Sequence, residues 1–258
     1  MSVVRTDEWL LDSYHQPLDI CEKIKGHFHG ASPAGIHRHL TKYGMYQRPI
    51  KEGSRLVEEL KNKHVWEVVE KEERQLQRIW RGPDVPIFIL PTQTNDRGMK
   101  REHEGKAGVA FHDKIFLFIS GHDTESEIRA LLTHEYNHVC RLSQYRKSEE
   151  DYVLLDTMIM EGLAENAVRE RIGEDYVSSW TSYYSNEELE RIWKTIMLPN
   201  TNMARTHRKH DSLLYGRGFY PKMAGYCVGY YLVKNYMEES RLTCKDLMNE
   251  RQVLNESL

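Results

Sequence analysis

The chain has 258 residues, a formal net charge of −3, a pI near 6.5 and a charged fraction of 29%. That length suits one large domain or two small ones and is enough to bury a core without covalent staples. The near-balance of charge argues against a general polyanion binder, so no nucleic-acid partner is expected, and 10% aromatic residues argue against disorder.

The four cysteines, Cys21, Cys140, Cys227 and Cys244, are far apart and form no CxxC pair. This speaks against a disulfide framework and against a thiolate zinc site, and it fits a reducing compartment. The start, Met1 to Trp9, lacks the basic head and apolar core of a secretion signal. No apolar run approaches the ~18 residues that span a bilayer. A soluble, cytoplasmic protein with no membrane association is the expectation.

In chain order, Asp7 to Ser13 and Leu18 to Lys25 carry short helical patterns. Ser54 to Trp80, free of Gly and Pro, predicts one longer helix ended by Gly82-Pro83. The pairs His27/His29 and His37/His39 would face one way on a strand and could bind a second metal. Gly26, Gly30, Pro33 and Gly35 around them predict a loop instead. Val85 to Leu90 and Ile115 to Ile119 are short β-branched and aromatic runs that read as buried strands, with Val109-Ala-Phe111 placed to hairpin with the second. Thr124-Glu-Ser-Glu127 has the form of a capping box and opens another helix. Further helices are predicted over Tyr152 to Ile172, stopped by Gly173, over Asn186 to Met197, and from Pro221 to about Glu239. The order reads as α+β, mainly helical with a small mixed sheet. The division expected is an N-terminal helical region, 1–82, and a catalytic region, 83–258, which can equally form one continuous domain.

The chemistry centres on His134-Glu135-Tyr136-Asn137-His138. On a helix, residues four apart share a face, so His134 and His138 can converge on one metal ion. Glu135 is rotated about 100° from His134 and can reach a water on that ion. Neutral histidines leave the metal its charge, which acidifies the water, and the carboxylate takes the proton and passes it to a leaving amine. This HExxH spacing, in a capped helix directly after a strand, points to a zinc (Zn2+) hydrolase.

A catalytic zinc needs a third protein ligand. Glu161 and Glu165 lie four apart in the next helix, so one can bind metal while the other orients a ligand histidine. Asp156, a little more than one turn earlier, is a rival ligand.

At this point the sequence resembles the gluzincin peptidases, and more closely the YjaZ-type family of predicted zinc-dependent proteases. The resemblance is carried by Thr133-His-Glu-Tyr-Asn-His138, Glu161-Gly-Leu-Ala-Glu165 and Gly225-Tyr-Cys-Val-Gly229, and it covers roughly Val85 to Met237. It implies a zincin-like fold with His134, His138 and Glu161 as ligands, Glu135 as general base and Glu165 supporting a ligand. It also implies an edge strand above the active-site helix, with Ile115–Ile119 the candidate to pair with an extended peptide or protein substrate.

Other features have weaker claims. Tyr215, Tyr220, Tyr226, His207 and His210 could each stabilise an oxyanion, and each equally suits a tyrosine-rich packing surface; Tyr226 and His210 are taken as the leading pair. Gly225 and Gly229 fit a close approach of two helices. Arg205, Arg208 and Lys209 read as a solvated face, and Cys140 as a small buried residue. The functional expectation is a zinc-dependent peptidase. The alternative is a metal-stabilised interaction protein without catalysis, in which an acid at position 135 has no purpose.

Overall fold

The computed structural model describes residues 2–92, 107–145 and 147–248. Its one sheet among the described residues is built from runs that are apolar almost throughout. Strand β1 is Ile87–Pro91, β2 is Gly108–Phe111 and β3 is Lys114–Ile119. The order is β1-β3-β2, with β1 parallel and β2 antiparallel to β3, so the sheet is mixed and β3 is central. Every residue of β1 and β3 is buried, as expected for strands covered on both faces. The predicted hairpin is present, with Val109 opposite Phe116 and Phe111 opposite Lys114. With the helices, this makes the protein a mainly helical α+β fold.

The chain divides into two compact units, Met1–Val139 and Cys140–Leu258. The first holds helices α1 (Asp7–Ser13), α2 (Pro17–Ile24), α3 (Pro33–Thr41), α4 (Gly53–Asn62) and α5 (Val65–Trp80), together with the sheet. A buried relay ties three of its parts together. Trp66 Nε1 on α5 donates to Thr6 Oγ1 over 3.0 Å, and Thr6 Oγ1 donates to the Ile89 carbonyl of β1 over 2.5 Å. At the sheet, the Phe116 ring is stacked with Phe28 on one side and Phe88 on the other, at centroid distances of 5.6 and 4.8 Å.

Two readings of this unit need correction. The single helix expected over Ser54 to Trp80 is two helices. His64 takes left-handed φ and ψ, and the Lys63 ammonium donates to the carbonyls of Gly121 and Asp123, so the chain turns between them. The loop expected near His37 and His39 is helix α3. Pro33 occupies its first turn and Ser32 caps it by accepting from Gly35 N–H at 3.2 Å. On a helix, residues two apart point about 200° apart, so these two histidines do not share a face.

The long helix α6, Glu125–Gln144, begins with the predicted box. Glu127 N–H donates to Thr124 Oγ1 at 3.3 Å, and Glu127 Oε2 accepts from Thr124 N–H at 2.7 Å. The second unit is dominated by α7 (Leu154–Arg171) and α10 (Ala224–Ser240), with α8 (Asn186–Ile192), α9 (His210–Tyr215) and α11 (Cys244–Leu247) around them. Gly173, at φ +124°, stops α7 as expected. The helix expected to run to Met197 passes from α8 into a π-helical turn at Trp193–Met197. Pro221 precedes α10 rather than opening it, and its carbonyl accepts from Ala224 N–H at 3.1 Å.

Helices α7 and α10 touch backbone to backbone. A Cβ on Gly162 would lie 2.3 Å from the Gly229 carbonyl oxygen, and one on Gly229 would lie 2.1 Å from the Met158 oxygen. A Cβ on Gly225 would meet Leu214 Cα at 2.8 Å. The close helix approach read from Gly225 and Gly229 is thus present. Among the described residues no helix is long and apolar enough to cross a membrane.

Candidate metal centre

Helix α6 holds His134 and His138 one turn apart, both almost fully buried, because the rest of the helix is sunk in apolar contacts: Ile128, Leu131, Leu132, Tyr136 and Val139 are all buried. Tyr136 fixes the helix further, since its hydroxyl donates to the Pro83 carbonyl at 2.9 Å and its ring stacks on Trp80. The two imidazoles meet with Nε2 atoms 3.1 Å apart and ring planes at 88°. One ligand atom from each of His134, His138 and Glu161 lies within 4.8 Å of the others.

These donors fit zinc. Two Zn–N bonds of 2.0–2.1 Å at a tetrahedral angle separate the nitrogens by about 3.3 Å, close to the spacing found. Two neutral imidazoles and one carboxylate are also a set that zinc accepts while keeping a fourth position open. No second group of three such residues occurs among the described residues, so the paired histidines at 27/29 and 37/39 form no comparable cluster.

Glu135 is buried, and its side chain lies along β2. A Cβ added to Gly108 would fall 2.6 Å from Glu135 Oε1 and 2.8 Å from its Cδ and Cγ. The carboxylate thus rests against strand backbone. Nothing in the local sequence pattern around Gly108 marks its contact with Glu135.

In the second unit, α7 carries three acidic candidates, Asp156, Glu161 and Glu165. Asp156 is not a ligand in this arrangement. It is the N3 residue of α7, where Oδ2 accepts from Val153 N–H at 2.8 Å and from Lys147 Nζ at 2.5 Å, and Oδ1 from the Tyr145 hydroxyl at 3.3 Å. An acid at N3 is held by the helix start, and the local capping competes with any metal role. Thr157, one turn before Glu161, lies 3.4 Å from His210 Nε2, while His210 Nδ1 lies 3.1 Å from Asp211 Oδ1. His210 itself is buried. Glu165 is fully buried and accepts from Ser178 N–H at 2.5 Å.

Tyr226, on α10, has Glu161 and Tyr215 as its polar neighbours. Burial pushes its phenol well above the ordinary tyrosine value, and the neighbouring Glu161 charge and Tyr215 add to the rise. Trp180 meets the Tyr226 ring edge-on at 5.3 Å, and Tyr215 lies at 5.4 Å, so the phenol is walled by aromatics. Tyr220 is half-buried, and His207, which accepts from Lys209 N–H through Nδ1, is exposed.

The strand expected to present a free edge does not. Ile115–Ile119 is in the centre of the sheet, paired on both sides. The outer strands are β1, which Val3 bridges at Ile87, and β2, which among the described residues pairs only with β3. Phe118 N–H donates to the Ala107 carbonyl, and hydrogen-bonded pairs alternate along an antiparallel ladder. Ala107, Val109 and Phe111 therefore bond toward β3, and the N–H and C=O groups of Gly108 and Ala110 point away from it. No described strand pairs with that outer side.

The family model described as "Predicted Zn-dependent protease (DUF2268)" matches residues 65–253. The chain is 42% identical over 249 residues to the uncharacterized protein YjaZ of Bacillus subtilis (strain 168), covering 95% of each chain. It is 21% identical over 215 residues to the uncharacterized protein YjfC of the same organism, covering 77% of this chain and 71% of that one. No solved structure matches.

Proposed function

The chain belongs to the family of predicted zinc-dependent proteases, and we propose on that premise that it hydrolyses peptide bonds at the His134–His138–Glu161 centre. The single observation that carries the reading is the convergence of those three donors, with the Glu135 carboxylate one residue along from the first. His134, His138 and Glu161 would hold a zinc ion, which when bound supplies Lewis acidity toward a carbonyl oxygen and toward water.

Glu135 removes a proton from the attacking water. The water oxygen forms the new bond to the carbonyl carbon, the C–N bond breaks, and Glu135 returns the proton to the leaving amine. The side chain of Glu135 is buried on the helix of both histidines, so it is held beside them rather than in bulk water. Tyr226 is the leading donor to the oxyanion. A tyrosine hydroxyl is protonated at neutral pH, as a donor must be. His210, next to Thr157 on the helix of Glu161, is the alternative donor. Glu165 steadies the ligand side of the centre through its buried contact with Ser178. An extended peptide substrate would add to the outer side of β2, bonding to the outward groups of Gly108 and Ala110.

The test is Glu135→Gln in the full-length protein, with zinc content and cleavage of a mixed peptide library read together. The reading expects zinc to remain and cleavage to fall by at least about 10²-fold. Equal cleavage by the two proteins would refute Glu135 as the base.

A further inference from the structure

We infer that Gly108 is a positioning residue for Glu135: the missing side chain on the edge strand is what allows the carboxylate to lie where it does. The inference rests on the assignment of Glu135 as general base. Three contacts carry it. A Cβ at position 108 would fall 2.6 Å from Oε1, 2.8 Å from Cδ and 2.8 Å from Cγ of Glu135. The outer half of the side chain, and not one atom, occupies the space that any other residue would fill.

The conformation of the strand does not demand glycine. Gly108 is absent from the positive-φ glycines, which are Gly30, Gly44, Gly173, Gly216 and Gly218. Its backbone is ordinary antiparallel strand, paired opposite Leu117. Alanine therefore fits the strand, and the atoms it displaces belong to a side chain that can rotate. The fold loses little while the carboxylate loses its place. That separates Gly108 from Gly162 and Gly229, where an added Cβ meets backbone oxygen.

The same glycine carries an outward N–H and C=O, so strand and base are brought together at one residue. A substrate strand bonded there is aligned with Glu135 in the same step that seats it. A methyl group at 108 pushes the carboxylate off that alignment, and misplacement of a catalytic group by about 1 Å costs on the order of 10²-fold in rate.

The experiment compares four zinc-loaded full-length proteins: parent, Gly108→Ala, Glu135→Ala and the double variant. Melting temperature, zinc affinity by chelator competition, kcat and KM on the best library peptide, and affinity for acetohydroxamate are measured. Acetohydroxamate binds metal and hands its acidic proton to a nearby carboxylate, so it reports Glu135 without turnover. The inference expects Gly108→Ala to keep its melting temperature and zinc affinity, to lose kcat about 10- to 100-fold with KM within about threefold, and to bind acetohydroxamate about tenfold more weakly. In the Glu135→Ala background, which has no Cγ, Cδ or Oε1 for the added methyl to meet, the same change alters acetohydroxamate affinity by less than about threefold. Equal losses in both backgrounds, unchanged kcat and acetohydroxamate affinity, or a loss of zinc and melting temperature would each overturn it. If no peptide is cleaved by the parent, the acetohydroxamate cycle still decides the role of Gly108 while the peptidase reading fails separately.

Discussion

The α7–α10 crossing offers a direct physical test, because it holds the helix that carries Glu161. Replacing Gly229 with alanine puts a Cβ 2.1 Å from the Met158 carbonyl oxygen, 2.8 Å from its carbon and 3.1 Å from its Cα, where ordinary contact begins at 3.4 Å. Relief requires the backbones to part by about 1.3 Å, since 3.4 less 2.1 is 1.3. No side chain can absorb this, because the clash is with main chain. Overpacking of this kind costs typically 1–3 kcal/mol, and a backbone-to-backbone clash belongs at the upper end. At about 2–4 °C per kcal/mol for a chain of this size, a cost of about 3 kcal/mol lowers the melting temperature by roughly 6–12 °C. Met158 is three residues before Glu161, so the ligand helix moves with it. Metal–ligand distances tolerate only about 0.2 Å, and zinc affinity falls by at least about tenfold. Differential scanning calorimetry and chelator competition measure the two effects. Gly26→Ala is the control, since a Cβ there meets nothing within 4 Å and Gly26 has no positive φ. A Gly229→Ala protein with a melting temperature within about 1 °C of the parent and unchanged zinc affinity would refute the reasoning.

Three more outcomes are expected. Asp156→Ala removes the α7 cap and the Lys147 partner, costing about 1–2 kcal/mol in chemical denaturation, while zinc content stays at the parental level; loss of zinc would restore Asp156 as a ligand. Tyr226→Phe keeps zinc and lowers kcat by about 10²-fold with little change in KM; parental kcat would exclude the phenol as oxyanion donor. Glu73 is buried, its pKa raised above 4.5 by burial first and by the Asp84 charge after it, against the lowering bond from Ser2. Its folded form holds the proton more tightly than the unfolded form, so its contribution is complete below pH 4.5 and is lost as pH rises through the raised folded value. Glu73→Gln therefore flattens the fall of melting temperature as pH rises above 4.5; parallel curves for the two proteins would contradict this.

What could be read from the sequence divides along physical lines. Strands β1 and β3 were legible because Ile87 to Leu90 and Ile115 to Ile119 are continuous apolar runs, and α6 because Thr124 and Glu127 announce its start. The helix break at His64 was not, since it depends on a left-handed residue and on Lys63 reaching carbonyls 58 and 60 positions away. Helix α3 was hidden by its glycines, although Ser32-Pro33 is a proper helix start. The trio His134, His138 and Glu161 could be named because helical spacing and family resemblance both point to it. Asp156 could not be separated from Glu161 on spacing alone, because its capping bonds are made by Val153 and Lys147. The edge strand was misassigned because sheet order is a property of long-range pairing: β1 joins β3 in parallel and leaves β2 outside. The contact between Gly108 and Glu135 follows from that same order and carries no local signal.

The most direct measurement is metal content by elemental analysis of the purified, zinc-equilibrated protein and of His134→Ala, His138→Ala and Glu161→Ala. The account predicts about one zinc per parent chain, bound at least 10-fold more weakly when any one of the three is removed. One zinc per chain, held at parental affinity by all three variants, would contradict it.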